Sequence, residues 1–352
     1  MKSLPLLALP LLLSGCTFPW DQSHPKAYPQ NQPIQKIADE ATASCMASLH
    51  PRRVAVIVAE PKTGRILAIS GQSADGHSGT SEAISRFYEP GSAFKPVVVI
   101  AALDKGVITP KTKINCENGI FNICGKTIKD HYPSGELTFD EILAKSSNIG
   151  ASKIALMLKD QDYYDYIRRF GFGDKTGITI PGEVQGLVIP PQRWDNLTKV
   201  RNAYGQSVAA TPLQLTMAYC ALANGGLLMK PVIGSEKPVV VRRVCSAGTA
   251  NMVKNALQQT VSDKGTAPLA HVDGVTVGGN TGTAQAIAPE GVYYADKFNT
   301  MFAGFFPVEK PRFVVVVVVD QADLPPEKNY GGLVAAPIFS SIASQITKLP
   351  TK

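Results

Sequence analysis

Charged side chains are scarce in this chain of 352 residues and make up 18% of the total. Hydrophobic residues account for 44%, so the sequence can build a substantial core, and this composition argues against a disordered protein. The formal net charge of +7 comes from scattered lysines and arginines, with no basic stripe interleaved with aromatics. Nucleic-acid binding is therefore not expected. The length fits one large domain or two ordinary ones.

Metal-binding residue patterns are also lacking. The five histidines are dispersed, and no cysteine or histidine spacing typical of a metal site is present. We therefore expect no metal and no cofactor. Low-complexity repeats are absent as well.

The N-terminal residues predict a targeting signal. Residues 1–15 combine Lys2 with an apolar stretch at 4–13 that is too short to span a bilayer stably. The sequence LSGC at 13–16 resembles a bacterial lipobox, in which Cys16 would become the lipidated first residue after cleavage. An ordinary secretory peptide with an incidental cysteine, or an uncleaved anchor, is the alternative.

Residues 16–33 would then form the lipidated cysteine and a flexible tether, because this stretch is rich in Pro, Gln and Asn. We place the folded domain at residues 34–352. Acyl chains on Cys16 would hold that domain at a membrane surface, without a transmembrane helix. The expected location is the periplasmic side of a bacterial cell envelope.

Export would bring the other cysteines into an oxidising compartment, where disulfides persist. With Cys16 reserved for lipid, an odd number remains: Cys45, Cys116, Cys124, Cys220 and Cys245. Cys116 and Cys124 flank the sequence ENGIFNI, so we expect a short-loop disulfide between them. The alternative is that all the remaining cysteines are small buried hydrophobic residues.

A serine and a lysine lie three positions apart at the predicted start of a helix. Ser92 and Lys95 belong to the sequence EPGSAFKP, which precedes the apolar run 97–103 that ends before Gly106. Positions i and i+3 share a helix face, so the Lys95 amine can reach the Ser92 hydroxyl. A serine hydroxyl is a poor nucleophile until a base takes its proton, and a lysine with a lowered pKa can be that base. Alone, this tetrad is better explained by an N-capping serine and a surface lysine.

Two later segments favour the catalytic interpretation. The first, Ser146-Ser147-Asn148, offers a second hydroxyl to relay protons and an amide to hold a substrate carbonyl. The second is the sequence NTGTA at 280–284. Separately, these segments fit a capped helix end and a glycine-containing edge strand. All three motifs in this order indicate a serine acyl-transfer site.

With these motifs the chain resembles the penicillin-recognising serine acyltransferases, specifically the transpeptidase domain of class B (monofunctional) penicillin-binding proteins. The likeness spans about residues 35–346 and includes VAEPKTGRILAIS, LTFDEILAKSSNIGASKIA, YGQSVAATPLQLTMAYCALANGG and YGGLVAAPIF. The combination is most similar to the septal cell-division transpeptidases. The resemblance implies peptidoglycan stem peptides and β-lactams as ligands, and cell-division or elongation proteins as candidate partners.

The resemblance also implies a role for each residue of the first two motifs. Ser92 would attack the penultimate D-alanine carbonyl of a stem peptide, with Lys95 as general base. Ser146 would pass the proton to the departing amine. Asn148 would orient the substrate amide and contact Lys95. An amine from a second stem would then resolve the acyl-enzyme and form a cross-link.

In the third motif the resemblance implies that the Thr281 and Thr283 hydroxyls bind the terminal carboxylate of the substrate. The backbone N–H groups of Ser92 and Thr283 would form the oxyanion hole, with Gly282 between the threonines. The motif departs from the family at Asn280, where the family has a lysine. Hydrogen bonds to a charged group are worth about 1.5–3 kcal/mol against about 1 kcal/mol for neutral ones, so this change should cost acylation rate and affinity. Arg201, Lys264 or another cationic residue could supply the missing charge.

Three alternative functions follow from the same residues. A D,D-carboxypeptidase or β-lactamase would use water in place of the amine, although the sequence displays no dedicated deacylating base. A sensor would acylate and stay acylated. The third alternative is a catalytically weak or inactive scaffold, which Asn280 would mark. The other motif residues argue against this alternative, because Ser92, Lys95, Ser146 and Asn148 are intact.

The hydrophobic pattern predicts strands near both ends of the chain. A helix at 34–49 precedes a hairpin whose strands lie at 54–60 and 65–70. Late strands are predicted at 275–278 leading into 280–286, at 300–306 and at 313–320. Six consecutive valines in the last of these indicate a core strand covered on both faces.

Capping patterns mark helices in the middle of the chain. Thr138 and Glu141 form a capping box for a helix that runs up to Ser146. The sequence TPLQ at 211–214 does the same for a helix that ends near Gly225. We therefore expect an α+β fold, with an antiparallel sheet built from both chain ends and a helical middle. The resemblance implies the same architecture, the serine β-lactamase and penicillin-binding-protein transpeptidase-like fold.

Overall fold

The structure is a computed structural model that describes residues 31–288 and 290–350. The signal peptide predicted at 1–15, the lipidation site Cys16 and most of the tether lie outside the described residues. The first described helix begins at Gln32, two residues before the predicted domain boundary, and the Asn31 side chain caps it by accepting a hydrogen bond from the Ile34 N–H at 3.3 Å. In the described part of the chain, no helix combines the length and apolar character needed to cross a membrane.

The described helices and strands alternate irregularly along the chain. The α-helices are α1 (Gln32–Leu49), α2 (Ser81–Ile84), α3 (Lys95–Asp104), α4 (Phe139–Ala144), α5 (Asn148–Met157), α6 (Asp160–Arg169), α7 (Thr198–Ala203), α8 (Pro212–Ala223), α9 (Ala247–Ala256) and α10 (Gly331–Thr347). The strands are β1 (Arg53–Glu60), β2 (Arg65–Ser73), β3 (Ile114–Asn115), β4 (Ile120–Ile123), β5 (Lys126–Lys129), β6 (Glu136–Leu137), β7 (Leu187–Val188), β8 (Val208–Ala209), β9 (Leu227–Met229), β10 (Val240–Arg243), β11 (Gly278–Ile287), β12 (Tyr293–Phe306) and β13 (Phe313–Asp320).

A five-stranded antiparallel sheet with the order β11-β12-β13-β1-β2 joins the two ends of the chain. In its register Val54 of β1 faces Val319 of β13, and Val319 also faces Thr300 of β12. The predicted sheet, built from both chain ends around a helical middle, is therefore confirmed.

The valine-rich strand β13 lies at the centre of the sheet, and all six of its valines are buried. Alternate side chains of a strand point to opposite faces, so these valines serve two cores. Val314, Val316 and Val318 pack with the helical middle, including α3 and α8. Val315, Val317 and Val319 pack on the other face, with α1 and α10. The prediction of a strand covered on both faces is confirmed.

Both predicted capping boxes are present. The Thr138 and Glu141 pair begins α4, which ends at Ala144, two residues before the predicted end. Thr211 and Gln214 begin α8, with the Thr211 hydroxyl accepting from the Gln214 N–H at 3.0 Å. The α4 end matters because the chain then turns at Ser146 instead of continuing as a helix.

The predicted disulfide between Cys116 and Cys124 is wrong, because the described cysteines are all free thiols. Cys116 is buried, with its Sγ 3.5 Å from the Ser147 Oγ. Cys124 is exposed in the turn between β4 and β5, with its Sγ 3.9 Å from the Asn196 carbonyl oxygen. The strand β4 thus carries the second thiol to the outer end of a hairpin, away from the first.

Candidate active site

The first motif lies where a single 3₁₀ turn, Gly91–Phe94, leads into α3. This turn packs against β11 so closely that a Cβ on Gly91 would stand 2.9 Å from the backbone nitrogen of Thr283. Gly91 also has a φ of +54°, which is the left-handed region that glycine tolerates best. The backbone of the serine motif and the backbone of the third motif therefore meet directly.

The Lys95 amine joins the first two motifs. Its Nζ lies 2.6 Å from the Ser92 Oγ, 3.0 Å from the Ser146 Oγ and 2.8 Å from the Ser146 carbonyl oxygen. Asn148 contributes a fourth oxygen, its Oδ1, at 2.8 Å. The structure thus brings together the four residues that the sequence predicts as catalytic.

Lys95 is fully buried, and burial lowers its pKa to about 7, while the negative charge of Asp130 acts in the opposite direction. Near neutral pH about half of the amine is therefore uncharged. The Ser146 carbonyl and the Asn148 Oδ1 can only accept hydrogen bonds, so they take the two N–H groups of the neutral amine. Its lone pair is left for the Ser92 hydroxyl. This geometry makes the buried lysine a competent base for the serine.

The second motif reaches the amine through an unusual turn. Ser146 has a φ of +56°, which non-glycine residues rarely adopt, and this conformation aims its carbonyl at Lys95. Ser147 then caps α5, its hydroxyl accepting from the Gly150 N–H at 2.8 Å. Asn148 is the first residue of that helix, and its Nδ2 donates to the Lys129 carbonyl at 3.2 Å. The predicted capping role falls to Ser147, and Ser146 and Asn148 are left for the site.

The third motif lies on β11, where both polar groups of the Asn280 side chain bond to backbone atoms. Its Nδ2 donates to the Ser92 carbonyl at 3.0 Å, and its Oδ1 accepts from the Thr281 N–H at 2.9 Å. The side chain is fully buried, so both of its polar groups are used inside the protein. Asn280 was predicted to bind substrate, whereas the structure places it behind the nucleophile as a support for the serine turn.

The remaining third-motif residues line the outer side of that strand. Thr283 is exposed, and its hydroxyl accepts a hydrogen bond from the Gly331 N–H at 3.0 Å. Thr281 is buried. A side chain at Gly282 would clash with the Pro90 carbonyl and with Met301, so glycine is required for β11 to approach the serine turn. The exposed hydroxyl of Thr283 is thus the side chain of this motif that is most open to a ligand.

Within residues 31–288 and 290–350, the two cations considered as replacements for the family lysine are not bonded to the third motif. Arg201 pairs with Asp195 at 3.4 Å, and neither Arg201 nor Lys264 forms a hydrogen bond with a third-motif residue. The same part of the chain contains no group of three or more His, Cys, Asp or Glu residues that could hold a metal ion.

Two acidic residues beside the motifs were missed by the sequence analysis. Asp130 contacts the start of α5. Glu89 is buried, which raises its pKa, and its Oε1 accepts hydrogen bonds from the Ser207 N–H at 2.8 Å and the Tyr293 hydroxyl at 3.0 Å. Glu89 thereby ties the serine turn to β12. No spacing rule points to either residue, because their partners are distant in the chain.

An α+β fold in which a Ser–Lys pair meets a Ser-x-Asn turn is typical of the penicillin-recognising serine acyltransferases. Residues 54–344 match the family described as the penicillin binding protein transpeptidase domain, and the chain belongs to this family.

Curated relatives carry the same similarity over most of the chain. FtsI of Escherichia coli K12, a peptidoglycan D,D-transpeptidase, is 32% identical over 83% of this chain and 50% of its own length. PenA of Neisseria flavescens, a probable peptidoglycan D,D-transpeptidase, is 31% identical over 89% of this chain and 80% of its own. This chain thus spans about half the length of the Escherichia coli protein.

Solved structures agree with the sequence relatives. The transpeptidase domain of penicillin-binding protein 3 from Burkholderia pseudomallei has a TM-score of 0.83 at 31% identity, covering 91% of this chain and 95% of its own. Penicillin-binding protein 3 from Mycobacterium tuberculosis, complexed with aztreonam, has a TM-score of 0.81 at 30% identity, covering 90% and 77%. The predicted family and fold are confirmed.

Proposed function

We propose that this protein is a peptidoglycan D,D-transpeptidase that works through an acyl-enzyme on Ser92 and is inhibited covalently by β-lactams. The observation that carries the proposal is the buried Lys95 amine, 2.6 Å from the Ser92 Oγ and with a pKa lowered to about 7. A serine paired with such a base can attack a carbonyl carbon.

In the first half-reaction, the lone pair of Lys95 takes the Ser92 proton while the Oγ bonds to the penultimate D-alanine carbonyl carbon. The resulting oxyanion lies between the backbone N–H groups of Ser92 and Thr283, and such donors are worth about 2.7–4 kcal/mol each in comparable acyl transfers. The proton passes from Lys95 through the Ser146 hydroxyl, 3.0 Å away, to the departing amine. The carbon–nitrogen bond breaks and D-alanine leaves.

In the second half-reaction, an amine from another stem peptide attacks the ester carbonyl. Ser146 and Lys95 take its proton, and the Ser92 oxygen leaves with a proton as the new amide forms. Earlier, while Ser92 attacks, Asn148 holds the substrate amide, and the Thr283 hydroxyl, with Thr281 beside it, receives the terminal carboxylate that later leaves with D-alanine. Asn280 contributes indirectly, by its bond to the Ser92 carbonyl.

The names of the relatives support the reaction, and one solved neighbour supports the inhibitor class. FtsI of Escherichia coli is called a peptidoglycan D,D-transpeptidase, and the Mycobacterium tuberculosis structure holds aztreonam, a β-lactam. Cell-division or elongation proteins are the partners that we propose on the same basis.

Intact-mass spectrometry with benzylpenicillin tests the proposal. The full chain should gain the mass of one drug molecule, and the Ser92→Ala variant should gain none. No adduct on the wild type at long times and high drug concentration would favour a non-catalytic scaffold. Rapid turnover of nitrocefin would instead assign a hydrolase that transfers the acyl group to water.

We also propose that Cys16 is lipidated and holds the domain at a membrane, on the periplasmic side of the cell envelope. The LSGC sequence at 13–16 supports this proposal. Cys16→Ala should leave an unlipidated precursor. Palmitate labelling that survives this substitution would overturn the lipoprotein assignment.

A further inference from the structure

Asp130 lies at the base of the β4–β5 hairpin, directly after β5. Its backbone N–H donates to the Gly119 carbonyl at 3.1 Å, which anchors the residue to the start of the hairpin. The preceding carbonyl, that of Lys129, accepts from the Asn148 Nδ2 at 3.2 Å. One hydrogen bond thus closes the hairpin base, and the other joins that base to the second motif.

The Asp130 carboxylate uses both oxygens at the start of α5. Its Oδ1 accepts from the N–H groups of Asn148 at 2.6 Å and Ile149 at 3.0 Å, and its Oδ2 accepts from the Ser147 hydroxyl at 2.5 Å. The Ser147 hydroxyl in turn accepts from the Gly150 N–H. The first three N–H groups of a helix have no partner within the helix, and here Asp130 and Ser147 satisfy all three.

Fixing the start of α5 also fixes the atoms on either side of Ser147. Ser146 precedes the helix in a left-handed conformation, and Asn148 opens the helix. Both residues present oxygens to Lys95 at 2.8–3.0 Å. We propose that Asp130 is a positioning residue that aligns Ser146 and Asn148 on the Lys95 amine and places its negative charge at the second motif. The inference rests on the function proposed above.

Burial lowers the pKa of Lys95, and the negative charge of Asp130 acts against it by raising that pKa. Charged groups on the helices packed against α3 leave it unchanged: Lys145 beside α4, Lys153 on α5, Asp162 on α6, Arg201 on α7 and Lys254 on α9. Lys153 and Arg201 are already paired, with Glu117 and Asp195. Removing the Asp130 charge should therefore lower the pKa of Lys95.

The Asp130→Asn variant of the full chain tests the proposal. Misplacement of Ser146 and Asn148 should slow acylation by a fluorescent penicillin at pH 8 by roughly 10- to 100-fold. Loss of the charge should also move the acid limb of the pH–rate profile to lower pH, because neutral Lys95 would persist there. A residue that only supports the fold would lower the rate equally at every pH.

Asp195 offers a matched control at another helix. Its Oδ1 accepts from the N–H groups of Leu197 at 2.9 Å and Thr198 at 2.6 Å, and from the Thr198 hydroxyl at 2.6 Å. Asp195→Asn therefore removes a similar cap at the start of α7, without touching Lys95. The acid limb of the pH–rate profile of Asp195→Asn should lie at the same pH as that of the wild type. A shift of equal size in Asp195→Asn would overturn the proposal.

A second readout does not depend on acylation. In protein labelled with ¹³C at the lysine Cε, the Lys95 resonance can be assigned by its loss in Lys95→Arg and titrated in wild type and Asp130→Asn. The titration should move to lower pH in the variant. An unchanged titration would refute the role of Asp130, even if the wild type forms no penicillin adduct and the proposed function itself fails.

If Asp130→Asn does not fold, Ser147→Ala separates alignment from charge. This variant keeps the carboxylate but loses the hydroxyl between Asp130 and the Gly150 N–H. Acylation should fall by roughly tenfold, while the Lys95 titration stays in place. Acylation at the wild-type rate in Ser147→Ala would contradict the positioning role.

Discussion

On the helical wall of the site, formed by Ser92, Lys95, Ser146 and Asn148, four oxygen atoms lie within 3.0 Å of one buried amine. On the strand wall, formed by residues 280–283, the side-chain hydrogen bonds run back into the protein. Asn280 bonds to the Ser92 carbonyl, and the Thr283 hydroxyl accepts from a backbone N–H of α10. One wall presents reactive side chains, whereas the other presents mainly its backbone and one exposed hydroxyl.

This difference separates two kinds of catalytic contribution. In the proposed mechanism the helical wall holds the groups that move protons, and burial lowers the pKa of its base before any ligand arrives. The strand wall is held against the serine turn by glycines, which allow the backbones to approach. In the mechanism proposed above, it contributes backbone N–H groups at fixed positions, as an oxyanion hole requires. Substitutions on the two walls should therefore differ in size and in pH dependence.

The largest effect is expected from Lys95→Met, which breaks the helical wall. Methionine has a similar length but cannot take a proton, and general bases contribute about 10²- to 10⁴-fold in rate. Acylation by a fluorescent penicillin should fall by that factor. The melting temperature should hold or rise, because a buried amine is replaced by an apolar side chain.

Lys105→Met, just beyond the other end of the same helix, is the control for Lys95→Met. Lys105 is partly exposed and pairs with Asp162 at 2.8 Å, so its loss should leave acylation unchanged. A Lys95→Met variant that acylates as fast as Lys105→Met would mean that another group deprotonates Ser92.

A smaller effect is expected from pH, again through the helical wall. Because burial lowers the pKa of Lys95 to about 7, acylation should fall about tenfold for each pH unit below 7 and level off above it. The unfolded chain binds this proton up to its ordinary pKa of 10.5, so wild-type stability should rise relative to Lys95→Met as pH increases from about 7 to about 10.

Acylation rates between pH 5 and 9 and denaturant midpoints between pH 7 and 10 would measure both effects. Lys95→Met should show no acid limb near 7. An acid limb above pH 9 in the wild-type pH–rate profile would contradict this prediction. It would show that Lys95 remains protonated at neutral pH and that the amine is more hydrated than its burial indicates.

The helical wall could largely be predicted from the sequence, because its geometry is local. The spacing of Ser92 and Lys95 places both side chains on one face, and the caps at Thr138 and Thr211 set the helices around them. The same local rules located the hairpin of β1 and β2 and the central valine strand.

The features of the site that could not be predicted from the sequence depend on contacts between distant segments. The carboxylate of Asp130 meets α5 only after the β4–β5 hairpin folds back, and Asn280 turns toward the Ser92 carbonyl only because the serine turn packs on β11. The disulfide prediction failed for the same reason, since the sequence spacing of Cys116 and Cys124 does not reveal that a hairpin carries the second thiol outward. Spacing rules describe one element at a time.

The smallest effect is expected from Asn280→Lys, which would make the strand wall more like the charged wall of the family. A charged donor is worth about 0.5–2 kcal/mol more than a neutral one, so β-lactam acylation should rise about 2- to 30-fold where the new amine reaches the substrate side. Asn280→Ala is the matched control. It removes the bond to the Ser92 carbonyl without adding charge, so its acylation should fall.

The two Asn280 variants together decide how the strand wall works. A rise in Asn280→Lys with a fall in Asn280→Ala would mean that the asparagine supports the serine turn but leaves the wall short of charge. An unchanged or lower rate in Asn280→Lys would mean that the fully buried amide cannot be exchanged for a cation. In that case the strand wall has adapted to a neutral residue, and binding of the substrate carboxylate rests on the exposed Thr283 hydroxyl.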